Sequence, residues 1–216
     1  AKVSGWHAAP FQGSGLVRSS IGRSLTRIQI PYVDAGGTRM RGGMLVVNTD
    51  TNRMAISIQT DTITVNDTTV LTTANFNAFV HNDTLKFTSD LIRDPSRNQG
   101  NLEGMLVVFP DSNVLHLDHS SLTVNGDLWQ FYQDQPIVFD RTGVTLHELG
   151  VKSFNQLVQI SGKVSDSPLD TVTFITQQFN LAQLNNFLKA FKVQVEGKSD
   201  IKVSASNYLK DPFLKG

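Results

Sequence analysis

The sequence predicts an all-β chain, a sheet of repeated antiparallel or mixed strands with one short helix. Three observations carry that prediction. Apolar residues recur two apart in short runs, each closed by a polar or glycine turn. The run GMLVV occurs twice, each time heading the same ordered series of segments. A single stretch breaks the period of two for a helical spacing. Successive side chains on a strand point to opposite faces, so period two is the strand signature, whereas spacings of three and four mark one face of a helix.

Residues 1–21 are rich in Gly and Ser, with Trp6, Phe11, Leu16 and Val17 scattered among them, and predict one or two irregular strands. Residues 24–33 hold a strand with Ile28 and Ile30 on one face. Pro31 cannot donate to a ladder, so this strand is expected to end there or to lie at an edge. Gly36-Gly37 makes a turn. The run at 43–47 recurs at 104–108. The first copy is followed by Met54–Ile58 and then by Ile63-Thr64-Val65-Asn66; the second by Leu115-His116-Leu117 and then by Leu122-Thr123-Val124-Asn125. A spacing of about 60 residues exceeds a standard solenoid repeat and accommodates four or five strands of ordinary length. The expected organisation is one continuous β-repeat segment over 1–216, with repeat units at about 38–95 and 100–165 and C-terminal strands plus the helix over 166–216.

Between the copies, residues 76–87 read as a hairpin turning on Asn82-Asp83, residues that tolerate positive φ. Asn125-Gly126 is the strongest turn signal. The polar stretch 89–101 reads as a loop at the seam between repeats. Further on, Ile137 and Phe139, Val144 and Leu146, Val172 and Phe174, Val193 and Val195, and Ile201 and Val203 each sit two apart and predict strands. Leu181, Leu184, Asn185 and Leu188 have helical spacing, so 180–190 reads as a short amphipathic helix plugging one end of the sheet.

Composition narrows the function classes. Nineteen Lys and Arg balance 19 Asp and Glu, which argues against a basic footprint for nucleic acid. Charged residues are only 18%, and the abundant Thr, Ser, Asn and Gln suit the solvated face of a long sheet. There is no cysteine, so disulfides, thiol nucleophiles and cysteine metal sites are excluded. No run approaches the apolar length of a transmembrane helix. The first residue is not Met and the last lie in a strand-turn pattern, so the chain reads as a piece of a longer protein.

Candidate chemistry is sparse. His116, Asp118 and His119 form the one histidine cluster. On a strand His116 and Asp118 share a face and His119 points away, so a solvated face is the better reading than a metal or acid–base site. His147 and Glu148 fall on opposite faces of a predicted strand. Gly13-Ser14-Gly15 lacks the spacing of a nucleophile elbow, and no phosphate-binding, dinucleotide-binding or calcium loop is present. Trp6 and Trp129 read as core or interface residues rather than stacking platforms. No cofactor, metal or catalytic residue is expected.

The feature left to carry function is an apolar face lined by Ile56, Ile58, Leu115, Leu117, Leu146, Ile160, Val172, Phe174, Val193, Val195, Ile201 and Val203. A sheet with one continuous apolar face must close on itself, pack on another sheet or bind something apolar. The C-terminal half, through Trp129, Gly162, Phe179, Asn180, Leu181, Leu184, Asn185, Gly197 and Pro212, resembles the repeating region of the TamB/AsmA-like envelope proteins in its Bacteroidetes-type form. The likeness covers that half well and the N-terminal half more loosely; its motifs are degenerate. It implies a long curved, taco-like sheet with an apolar concave face that shields acyl chains. It also implies a periplasmic place in a Gram-negative cell, within a parent protein anchored in the inner membrane. The implied role is non-enzymatic phospholipid transport between membranes and support of outer-membrane protein assembly. The implied partners are phospholipid or another acyl-chain lipid, an outer-membrane β-barrel assembly protein and neighbouring segments of the same chain. The alternative from the residues alone is a surface β-repeat adhesin or carbohydrate-binding module with a closed core.

Overall fold

The computed structural model describes residues 7–65, 68–94, 97–132, 135–185, 193–206 and 213–215. The chain is all-β, and every described strand pairing with a defined register is antiparallel. It divides into two compact units, Ala1–Met105 and Leu106–Gly216.

The first unit contains β1 (His7–Ala8), β2 (Gln12–Arg18), β3 (Arg23–Ala35), β4 (Thr38–Asp50), β5 (Arg53–Thr60), β6 (Thr62–Val65), β7 (Thr68–Leu71), β8 (Thr73–His81) and β9 (Thr84–Asp94), and most of β10 (Asn98–Val108). Its centre is a meander in which β3, β4, β5, β8 and β9 are successive neighbours. Gly36 and Gly37, at φ 60° and 86°, close the β3–β4 hairpin as a tight turn with two positive-φ residues does. Asn82, at φ 50°, closes β8–β9 at the expected Asn-Asp turn. One face carries the row Ile28, Leu45, Ile58, Phe76, and the next row is Val47, Ile56, Ala78, Phe87. Residues directly opposite on neighbouring strands share a face, so these rows form one apolar surface. The Phe76 and Phe87 rings stack on it, 5.9 Å apart. The reverse face carries Arg27, Val46, Ser57, Asn77 and Thr88 in one row, and Ser57 donates to the Asn77 amide oxygen at 2.9 Å.

The second unit contains β11 (Ser112–Val124), β12 (Asp127–Phe131), β13 (Ile137–Asp140), β14 (Gly143–Ser153), β15 (Gln156–Ser165), β16 (Thr171–Asn180), β17 (Lys198–Ser206) and β18 (Phe213–Lys215). β11 pairs with β12, and each strand from β13 to β17 pairs with the next, while β12 and β13 lie end to end along both β11 and β14. Asn125 and Gly126, at φ 54° and 93°, close β11–β12.

Two β-bulges shape this unit. In β14 the register against β15 shifts between Leu146 and Leu149, with Glu148 at φ 55°. In β16 it shifts against β17 between Thr176 and Phe179, with Gln178 at φ 48°. An extra residue bends a strand and advances its face by one position. The apolar positions therefore change from Val144 and Leu146 to Leu149 and Val151 without leaving their face. In β11 the apolar positions likewise change parity, from Leu115 and Leu117 to Leu122 and Val124, around His119 at φ 35°. The reading of His147 and Glu148 as neighbours on a regular strand is corrected by the first bulge.

Three other expectations are corrected. The polar stretch 89–101 is not a loop in its described part: β9 runs to Asp94 and β10 starts at Asn98. Leu91 and Ile92 pair with Ala74 and Thr73, and that ladder outweighs the local polarity. Pro31 does not end its strand. It lies within β3 between the stretch paired to β2, which stops at Gln29, and the stretch paired to β1, which starts at Val33. The helix expected over 180–190 begins instead as a 3-10 turn over Leu181–Leu184, capped by the Asn180 side chain, which accepts from the Ala182 N–H at 3.1 Å. Residues 186–190 of that helix, with Trp6 and Pro212, lie outside the described residues.

Candidate functional site

The second unit's apolar face is laid down in rows across the strands. Leu115, Ile137, Leu146, Gly162 and Val172 stand opposite one another in turn. The next row is Leu149, Ile160, Phe174 and Val203, and the one after it Val151, Val158, Thr176 and Ile201. Among the described residues, parts of this surface stay open. Phe174 is 40% exposed and Ile201 41%, as is Ile58 on the first unit's apolar face. Among the described residues the buried apolar side chains are Ala78, Trp129 and Ile137.

Over the third row the face deepens into a cleft of ≈ 370 Å³. Leu122, Val124 and Trp129 line it from the β11–β12 hairpin, and Val151, Val158, Phe174 and Ile201 from the strands beyond. Phe179, Leu181 and Leu184 come from the end of β16 and the turn that follows. The Trp129 and Phe179 rings stand 6.0 Å apart, tilted at 49°.

The turn is fixed from three sides. The Asn180 N–H donates to the Gln156 side chain at 2.8 Å. The Asn185 amide donates to the Val195 carbonyl at 3.0 Å and accepts from the Val195 N–H at 2.8 Å. The buried Gln183 donates to the Asp127 carboxylate and accepts from the Asn125 amide, the latter at 3.0 Å. Gln183 thus ties the turn to the Asn-Gly hairpin across the sheet.

Two polar residues line the cleft, and both turn their polar atoms elsewhere. Gln183 is committed as above. The Thr176 hydroxyl donates to the Ser199 carbonyl at 3.5 Å and accepts from the Ile201 N–H at 3.2 Å. What remains facing the cleft is hydrocarbon.

No protein-family model, curated protein or solved structure matches the chain.

The residues expected on the apolar face divide as follows. Ile56 and Ile58 lie together on the first unit's face. Leu115, Leu146, Ile160, Val172, Phe174, Ile201 and Val203 lie in the second unit's rows, with Leu117 two along β11 from Leu115. Phe174 and Ile201 also line the cleft. Val193 and Val195 are corrected: they lie in an irregular segment, not a strand. Val195 spends its backbone groups on Asn185 rather than on a ladder, and Val193 is 49% exposed. The expectation missed Leu122, Val124, Val151, Val158 and Phe179. The jump in apolar parity from Leu146 to Leu149 was the available signal for Val151.

His116 and Asp118 alternate with Leu115 and Leu117 along β11 and so occupy the reverse face. Among the described residues no group of three His, Asp or Glu could hold a metal ion. Among the described residues, Asp34 and Asp140 are held below the ordinary carboxylate range by hydrogen bonds within the sheet and its turns. Arg39 donates to Asp34, and the Thr142 hydroxyl and N–H donate to Asp140 in the β13–β14 turn. On the reverse face of the first unit a depression of ≈ 540 Å³ is lined by Gln29, Gln59, Asp61, Thr73 and Asn75 among others.

Proposed function

We propose that the chain is a non-enzymatic segment of a TamB/AsmA-like envelope protein. It shields lipid acyl chains on its apolar β-faces in the periplasm, in support of phospholipid movement between membranes and of outer-membrane protein assembly. The observation that carries this reading is the pairing of strand-ordered apolar rows with their exposure. Ile58, Phe174 and Ile201 sit on apolar faces yet remain about two-fifths open. An apolar surface of this kind gains about 0.8 kcal/mol for each methylene it takes out of water. The resemblance around Trp129, Gly162 and Asn180–Leu184 supplies the family. The adhesin or carbohydrate-binding alternative would instead use the amide-lined depression around Gln29, Gln59 and Asn75.

The test is native mass spectrometry of the purified chain after incubation with phosphatidylethanolamine–phosphatidylglycerol vesicles. The wild type is expected to carry phospholipid. Ile58→Glu and Phe174→Glu place a carboxylate at half-open positions and are expected to leave the circular dichroism unchanged. Burying an unpaired carboxylate against an acyl chain costs several kcal/mol, so lipid occupancy is expected to drop more than tenfold. A lipid-free wild type, or folded variants that keep their lipid, would sink the reading. Retention on immobilised oligosaccharide in that case would favour the alternative.

A further inference from the structure

We propose that the cleft between Trp129 and Leu184 is a discrete seat for one unbranched hydrocarbon chain, a proposal that rests on the lipid-shielding reading and gives the second unit's face one defined place of binding. Three observations select that occupant. The first is chemistry. The polar atoms of Gln183 and Thr176 are consumed by Asn125, Asp127, Ser199 and the Ile201 N–H, so the lining offers no hydrogen bond to an occupant. A lining of that kind gives water no hydrogen-bond partner and favours apolar guests. An occupant with a polar group inside would leave it unpaired, at a cost no contact here repays.

The second observation is shape. The lining passes from β11 and β12 across β14, β15 and β16 to β17. Neighbouring strands lie about 4.8 Å apart, so the lining spans up to roughly 24 Å along the sheet from β11 to β17. A volume of ≈ 370 Å³ spread along such a lining suits one hydrocarbon chain. It also sits at the small end of the range for ligand sites. The third observation is construction. The Leu181–Leu184 turn is held by Gln183 to the β11–β12 hairpin and by Asn185 to Val195, so the leucines are braced before any guest arrives. Preorganisation of this sort lowers the ordering cost of binding.

Trp129 makes the test direct. Trp6→Phe leaves it as the sole tryptophan, and bromine atoms on an alkyl chain quench indole fluorescence only at contact. Titration with dibromostearate is expected to quench Trp129 saturably, at one per chain, and plain stearate is expected to compete without quenching. Leu184→Glu, at the half-open rim, is expected to move the midpoint at least tenfold. Val158→Phe fills the cleft with carbon and adds no charge, and is expected to abolish quenching while preserving the fold. Ile58→Glu, in the other unit and outside the cleft, is expected to leave the quenching of Trp129 unchanged.

Absent or unsaturable quenching overturns the proposal, as does quenching unaffected by a folded Val158→Phe chain. A concentration-dependent dimer that shields Trp129 from the probe, seen by sedimentation, also overturns it by assigning the cleft to a second copy. Phospholipid capture without Trp129 quenching would leave the broader shielding reading standing and this one fallen. Quenching without phospholipid capture would do the reverse.

Discussion

Trp129→Ala is expected to destabilise the second unit by about 3–5 kcal/mol, the range for removing a large aromatic from a packed site. Trp129 is 4% exposed, stands opposite Leu122 and meets the Phe179 ring. In a unit with so few buried apolar side chains there is little else to close over the void. A loss of that size is a large fraction of the 5–15 kcal/mol typical of a domain and corresponds to a fall in melting temperature of roughly 15–30 °C. Trp129→Phe keeps a ring against Phe179 and is expected to lose less than half as much. Differential scanning calorimetry of the three chains checks the order. A Trp129→Ala chain melting within a few degrees of wild type would mean that the residue is not a packing centre.

Gly162→Ala is expected to be the second most damaging of these changes, at about 2–5 kcal/mol from backbone strain combined with overpacking. Gly162 has φ 115° and joins Leu146 to Val172 in the middle of an apolar row. A methyl there would run into the Thr171 carbonyl oxygen, a backbone atom that cannot swing aside. Gly126→Ala is the control. At φ 93° it pays for the positive φ, but its added methyl meets nothing within 4 Å. It should therefore cost only about 1–2 kcal/mol. Urea unfolding of both chains separates the two costs, and equal midpoints would remove the steric argument.

Much of the strand pattern was legible because it rests on local rules. Ile56 with Ile58 and Val172 with Phe174 show the period of two directly, and Asn125-Gly126 announces its own turn. The cleft was not legible, because it depends on where the period fails. Leu146 and Leu149 are three apart, as are Thr176 and Phe179, and only a bulge places each such pair on one face. The bulge residues Glu148 and Gln178 carry no composition signal that separates them from ordinary polar-face residues. Gln183 was equally hidden. Its partners Asn125 and Asp127 are distant in sequence, and their meeting depends on the order of strands between them. Val193 and Val195 show the opposite failure. Their alternation is real, but the Asn185 side chain claims the Val195 backbone groups that a ladder would have used.

The most direct test of acyl-chain shielding is the rate at which ascorbate reduces a phospholipid carrying a nitroxide midway along one acyl chain, with the chain in excess over lipid and no membrane present. The account predicts a fraction of nitroxide, stoichiometric with protein, that reduces at least tenfold more slowly than free label, and that fraction should disappear in Phe174→Glu. Reduction of all the label at the free rate in the presence of folded wild-type chain would contradict it.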